Sequence, residues 1–100
     1  MVNSFLVSPH DSVAIVTKPI AKGEEVTYEL AGKEALMTAI DDIPIYHKIA
    51  TKSITKGAAV LKYGEVIGYA TAHIAIGAHV HTHNLSDIVE RLTIKSQGLK

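Results

Sequence analysis

Apolar residues in this chain come in short bursts, each cut off by a glycine, a proline or a polar cluster. Bursts of that length bounded by turn residues predict strands rather than helices. Phe5–Val7 and Val13–Thr17 flank the turn Ser8-Pro9-His10-Asp11. Val26–Leu30 and Ala35–Ile40 flank Ala31-Gly32-Lys33-Glu34, which reads as a four-residue hairpin loop. His47–Thr51, Ala59–Tyr63, Val66–Ala72 and His79–His83 complete the set. One stretch pulls the other way: Lys33 to Ala39 is rich in good helix formers. The hairpin signal before it and Asp41-Asp42-Ile43-Pro44 after it leave too little room for a stable helix, so a strand is expected. Near the C-terminus Leu85, Ile88, Val89 and Leu92 follow helical spacing. A short helix over Ser86–Leu92 is therefore predicted, capped by Asn84 or Ser86, with a loose polar tail from Lys95.

The bursts share an internal repeat. Ile-x-x-Gly-x-x-Val occurs as Ile20-Gly23-Val26, Ile54-Gly57-Val60 and Ile74-Gly77-Val80. A degenerate copy, Ile43-Tyr46-Ile49, has tyrosine in the glycine position. Each copy reads as a corner: Ile anchors the loop, Gly supplies a positive φ, and Val opens the next strand. The copies are unevenly spaced, so one strand-turn device is being reused within a compact domain rather than a solenoid being built.

Composition agrees. Ile, Val and Thr number 29, against 9 Leu and Met, and β-branched side chains fit a pleated sheet better than a helix. One hundred residues make one domain with a modest core. Hydrophobic residues at 47% exclude intrinsic disorder. Ten acidic and ten basic residues give no basic excess, which argues against a nucleic-acid partner. No apolar run has the length of a membrane span, and no export signal is recognisable, so a cytoplasmic protein is expected. With no cysteine there is no disulfide framework, thiolate metal site or cysteine nucleophile.

The candidate chemistry lies in the histidines. Four of six fall between positions 73 and 83, and three alternate in His79-Val80-His81-Thr82-His83. On a strand, alternate side chains share one face, roughly 6.5–7 Å apart. Adjacent imidazoles on that face can converge on one metal ion of the Zn, Fe, Ni or Cu kind; on a helix they would diverge. A polar strand edge is the plainer alternative. Two imidazoles do not complete a catalytic site, so further ligands must come from elsewhere in the chain or from a partner. Asp41-Asp42 reads as a turn rather than an acid pair, and Asp11 beside His10 as a local turn hydrogen bond. Lys62-Tyr63-Gly64 reads as a hairpin turn.

Taken in order, several segments resemble one family. They are Asp42-Ile43-Pro44, His47-Lys48-Ile49-Ala50, Ile54-x-x-Gly57, Lys62-Tyr63-Gly64-Glu65-x-Ile67-Gly68-Tyr69-Ala70-Thr71-Ala72 and His79-Val80-His81-Thr82-His83-Asn84-Leu85. From about Phe5 to Leu85 the chain resembles the N-terminal SAF domain, of β-clip fold, of altronate and galactarate dehydratases. Two departures stand out: Tyr46 replaces a usual glycine, and Asp11-Ser12-Val13 replaces Asp-Asn-Val. The resemblance implies an all-β β-clip domain of about eight short strands over residues 1–85, with 86–100 as helix and tail. It further implies a hydro-lyase acting on a sugar acid with a divalent metal, Fe2+ first, with Mn2+ or Zn2+ as alternatives. His81 and His83 are the implied metal ligands, with His79 a further candidate; Lys62 and Asn84 are the residues expected to hold substrate. The general base and remaining ligands are expected from a large catalytic subunit or C-terminal catalytic domain, and homo-oligomers are compatible with this. The alternatives are the small subunit of a sulfolactate sulfo-lyase, or a non-catalytic module that binds a sugar acid or docks a partner.

Overall fold

A computed structural model describes residues 2–86. Nine short strands appear, and no helix occurs among the described residues. They are β1 (Ser4–Phe5), β2 (Val13–Val16), β3 (Glu25–Leu30), β4 (Lys33–Thr38), β5 (Lys48–Ala50), β6 (Ala59–Lys62), β7 (Glu65–Ala70), β8 (His79–Val80) and β9 (Leu85–Ser86). The eight expected strands are all present, and the stretch rich in helix formers is strand β4. Three differences are instructive. The β3–β4 loop has two residues, not four: Ala31 and Gly32 have φ of 54° and 81°, a pair of positive angles that matches the right-handed twist of the flanking strands. Tyr63 and Gly64 (58° and 77°) do the same between β6 and β7. The strand expected over His79–His83 ends at Val80, because Asn84 folds the chain back into a turn. Finally, Leu85 and Ser86 pair with Ala70 and Tyr69 as a strand, so no helix begins at Ser86; the rest of the expected helix and tail lies outside the described residues.

The strands form an antiparallel sheet in the order β1-β2-β5-β8, the hairpin β3-β4, and a second sheet β6-β7-β9. The corner repeat organises them. Ile20 and Ile43 exchange both backbone hydrogen bonds, at 2.9 and 2.8 Å, and Ile54 and Ile74 do so at 2.8 Å each. The four corner positions Gly23, Tyr46, Gly57 and Gly77 all have positive φ, between 69° and 91°. Their N–H groups donate to Ala39, Val16, Ala70 and Ala50 carbonyls, each four residues before the paired isoleucine. The second half thus repeats the hydrogen-bond scheme of the first.

The anchors Ile20, Ile43, Ile54 and Ile74 and the strand openers Val26, Ile49, Val60 and Val80 are all buried. They divide into two cores. One holds Ile20, Val26, Ile43 and Ile49 with Ala14, Val16, Tyr28, Met37 and Ala39. The other holds Ile54, Val60, Ile74 and Val80 with Val13, Ala50, Ala70 and Ala78. Strands β2 and β5 each send residues into both, which joins the halves. Asp11 locks the β2 entrance onto the β6–β7 turn. Its carboxylate accepts N–H groups from Ser8 (3.1 Å), Tyr63 (2.9 Å) and Gly64 (2.8 Å). Burial alone would raise its pKa, but these backbone donors outweigh burial and hold the carboxyl below its ordinary range.

Candidate functional site: a histidine cluster at the sheet edge

Pairing of β5 with β8 builds the site. Lys48 faces Val80 and Ile49 faces His79; one further step along the same register sets His47 opposite His81. Alternation puts His47, His79 and His81 on one face, the face of buried Ile49. The ring contacts agree. His47 stacks on His81 with centroids 4.3 Å apart, and on His79 at 5.1 Å. The rings of His79 and His81 lie 5.6 Å apart and within 9° of parallel. Nδ1 of His47 lies 2.9 Å from Nε2 of His79. One nitrogen from each of these three half-buried imidazoles lies within 4.8 Å of the other two.

The backbone around the cluster is fixed by specific groups. Tyr46, in its left-handed corner conformation, delivers His47 to the start of β5, and the His47 N–H donates to Pro44 O. The His79 N–H donates to Asp41 Oδ2 at 2.9 Å. Asn84 closes the turn after β8: its Oδ1 accepts the His81 N–H, and its Nδ2 donates to the His79 carbonyl, both at 2.9 Å. Asp42 likewise serves the backbone, accepting the Lys22 N–H. The pair Asp41-Asp42 is therefore two backbone acceptors at a turn.

Electrostatics favour neutral rings. Burial pushes the pKa of His79 down, and His83, His47 and His81 push it further; Asp41 opposes weakly. His81 is lowered by the same desolvation, then by His47, Lys48 and His83. Neutral imidazole is the form that ligates metals. The Lys48 ammonium is half-buried, and both burial and the neighbouring Lys62 lower its pKa.

Of the residues singled out in the sequence, His79 and His81 enter the cluster. His83 lies against His79, with centroids 5.2 Å apart and planes 38° from parallel, outside the three close nitrogens. Asn84 has its side chain turned into its own loop. Lys62 ends β6 and extends its ammonium over the Tyr63 ring at 4.9 Å. His47 is the residue that sequence reasoning missed as a site residue. His47 follows the Tyr46 corner and His79 the Gly77 corner, but each corner pairs with a different one, so no local signal sets these rings together.

The described residues thus form a small all-β module with an imidazole cluster on its sheet edge. Residues 2–88 match the model of the altronate/galactarate dehydratase SAF domain, and the chain belongs to that family. It is 44% identical over 82 residues (78% of its length) to the altronate dehydratase of Escherichia coli (strain K12), and 39% identical over 90 residues to that of Bacillus subtilis (strain 168). The match covers 16% and 17% of those two enzymes, so the chain spans about a sixth of their length. It is also 50% identical over 48 residues to the (2R)-sulfolactate sulfo-lyase subunit alpha of Paracoccus pantotrophus, covering 72% of that subunit and 48% of this chain. The homologous subunit of Chromohalobacter salexigens is 32% identical over 82 residues, with 87% of it covered. Among the described residues no helix is long and apolar enough to cross a membrane.

Proposed function

We infer that this chain is the SAF part of a metal-dependent hydro-lyase of the altronate/galactarate type, working with a larger catalytic part. The observation that carries this is the 44% identity to an altronate dehydratase over 82 residues, 78% of the chain. Removing water from a 2,3-dihydroxy acid requires loss of the C2 proton, stabilisation of the resulting enediolate and departure of the C3 hydroxyl. The general base belongs to the catalytic part. A divalent ion, when bound, supplies Lewis acidity for the carboxylate and 2-hydroxyl. The donors fit such an ion: His79 and His81 have lowered pKa values that favour the neutral form, both are half-buried and on one face, and His83 stands beside them. An all-imidazole set suits Fe2+ or Zn2+ and does not suit Mg2+ or Ca2+. The Lys62 ammonium meets an acid's carboxylate by charge. Asn84 acts on substrate only indirectly, by holding the turn that presents His81.

A sulfo-lyase reading has its own support, since the chain covers 72% and 87% of two sulfolactate sulfo-lyase alpha subunits. The chemistry is shared: a 2-hydroxy acid loses a C3 substituent, hydroxide in one case and sulfite in the other.

Mixing the purified chain with its larger partner tests both. Altronate or galactarate should give a 2-keto-3-deoxy acid, and the chain alone should give none. Sulfite release from sulfolactate, with no dehydration, would select the second reading. Turnover by the 100-residue chain alone would overturn the division of labour.

A further inference from the structure

The histidine cluster is more complete than a pair of ligands awaiting a partner. It draws one ring from the residue just before β5 and two from the β8 edge, which are distant in sequence and fixed against each other by strand pairing. Its backing is rigid, because Ile49 and Val80 are fully buried on either side of the pairing. Asp41 and Asn84 clamp the β8 backbone from both ends of the site. Nδ1 of His47 and Nε2 of His79 already approach to 2.9 Å, and among the described residues no carboxylate joins the group.

We propose that His47, His79 and His81 form a three-imidazole chelate for a borderline divalent ion such as Zn2+, Co2+ or Ni2+, complete within this chain, and that His83 is not a ligand. Metal–nitrogen bonds of about 2.0–2.1 Å place ligand nitrogens roughly 3–3.4 Å apart. The His47–His79 pair already lies at that separation, and the remaining nitrogens, all within 4.8 Å, close by small ring rotations. The proton between His47 and His79 moves to the outer nitrogen of whichever ring carries it, so a neutral pair binds the ion without net proton loss. Three ligands leave further coordination positions open on the solvent side, as a site that meets substrate requires. Catalytic use of the chelate rests on the lyase reading above; its existence does not.

The test uses the full chain. Co2+ titration, followed by visible absorption, should saturate at one ion per chain, and Zn2+ should displace the cobalt. His47→Ala, His79→Ala and His81→Ala should each weaken binding by at least about a hundredfold, beyond the 10–100-fold typical of losing a supporting partner. His83→Ala should bind as the parent does. Because a variant can fail by unfolding, the parent chain is also followed by imidazole nitrogen NMR during Zn2+ addition. The rings of His47, His79 and His81 should shift strongly, while His10, His73 and His83 should not. Undiminished binding by His47→Ala, a loss with His83→Ala equal to the others, or ring shifts confined to other histidines would overturn the proposal. A lyase that turns over normally with the His47→Ala chain would sink the catalytic use of the chelate, while leaving its existence to the binding data and sparing the lyase reading. Metal binding as described without turnover in the reconstituted enzyme would spare the chelate and sink the lyase reading.

Discussion

Tyr46 and Asp11 are single residues whose conformation or charge the fold constrains. Tyr46 holds φ at 69° with its side chain 70% exposed, in a position where the other three corners have glycine. A left-handed non-glycine residue costs about 1–2 kcal/mol, and glycine's extra freedom in the unfolded chain returns about 0.4–1 kcal/mol of that. Tyr46→Gly should therefore be stabilising by up to about 1 kcal/mol in urea unfolding; a clear loss would mean that the tyrosine ring makes a stabilising contact. Asp11 makes the opposite point. Asn in its place turns an amide N–H2 toward backbone donors, and Asp11→Asn should cost about 1–3 kcal/mol. Its pKa is lower in the fold than the ordinary 3.8. Its contribution is thus intact above that value and lost as pH falls through the depressed native one. Acid unfolding curves should show this limb in the parent and a shallower one in Asp11→Asn. The turn role of Asp11 was legible in the sequence beside Pro9. Its reach to Tyr63 and Gly64 was not, since those contacts span more than fifty residues.

At the scale of elements, the corners separate two effects of glycine. Gly57 and Gly77 have almost the same φ, 87° and 89°. A Cβ at Gly57 meets open space, whereas one at Gly77 overlaps the Thr38 carbonyl oxygen. Gly57→Ala should cost about 1 kcal/mol, from conformation alone. Gly77→Ala should cost more than about 2 kcal/mol, since the end of β4 must also move. Equal losses in thermal unfolding would show that Gly77 packs less tightly than described. These corners, and the strands they open, were plain in the spacing of Ile, Gly and Val. The ends of strands were not. Two-residue hairpin loops need two consecutive positive φ values, and Ala31 and Tyr63 gave no sign that they adopt them. The early end of β8 depends on Asn84, whose side chain reads equally well as a helix cap. As a helix cap it would face forward along the chain; it faces backward to His79 and His81.

For the whole molecule, the fold class followed from local patterning because every strand is announced by its own turn. The site did not, because it exists only where β5 meets β8, and nothing near position 47 marks that meeting. The alternation of His79 and His81 gave two of the three rings; the pairing supplied His47, and His83 stands to the side.

In the β2–β5 crossing, Val13 pairs with Ala50, and both are buried in the second core. One repeat further on, His47 and His81 occupy the corresponding positions of the β5–β8 crossing, and among the described residues no strand follows β8 in that sheet. The series simply stops there. Stopping it leaves a place shaped for interior side chains but open to water on one side, where a ring can be held as firmly as a core residue and still meet an incoming molecule. Adding one more strand would extend the fold and shut those rings away from solvent.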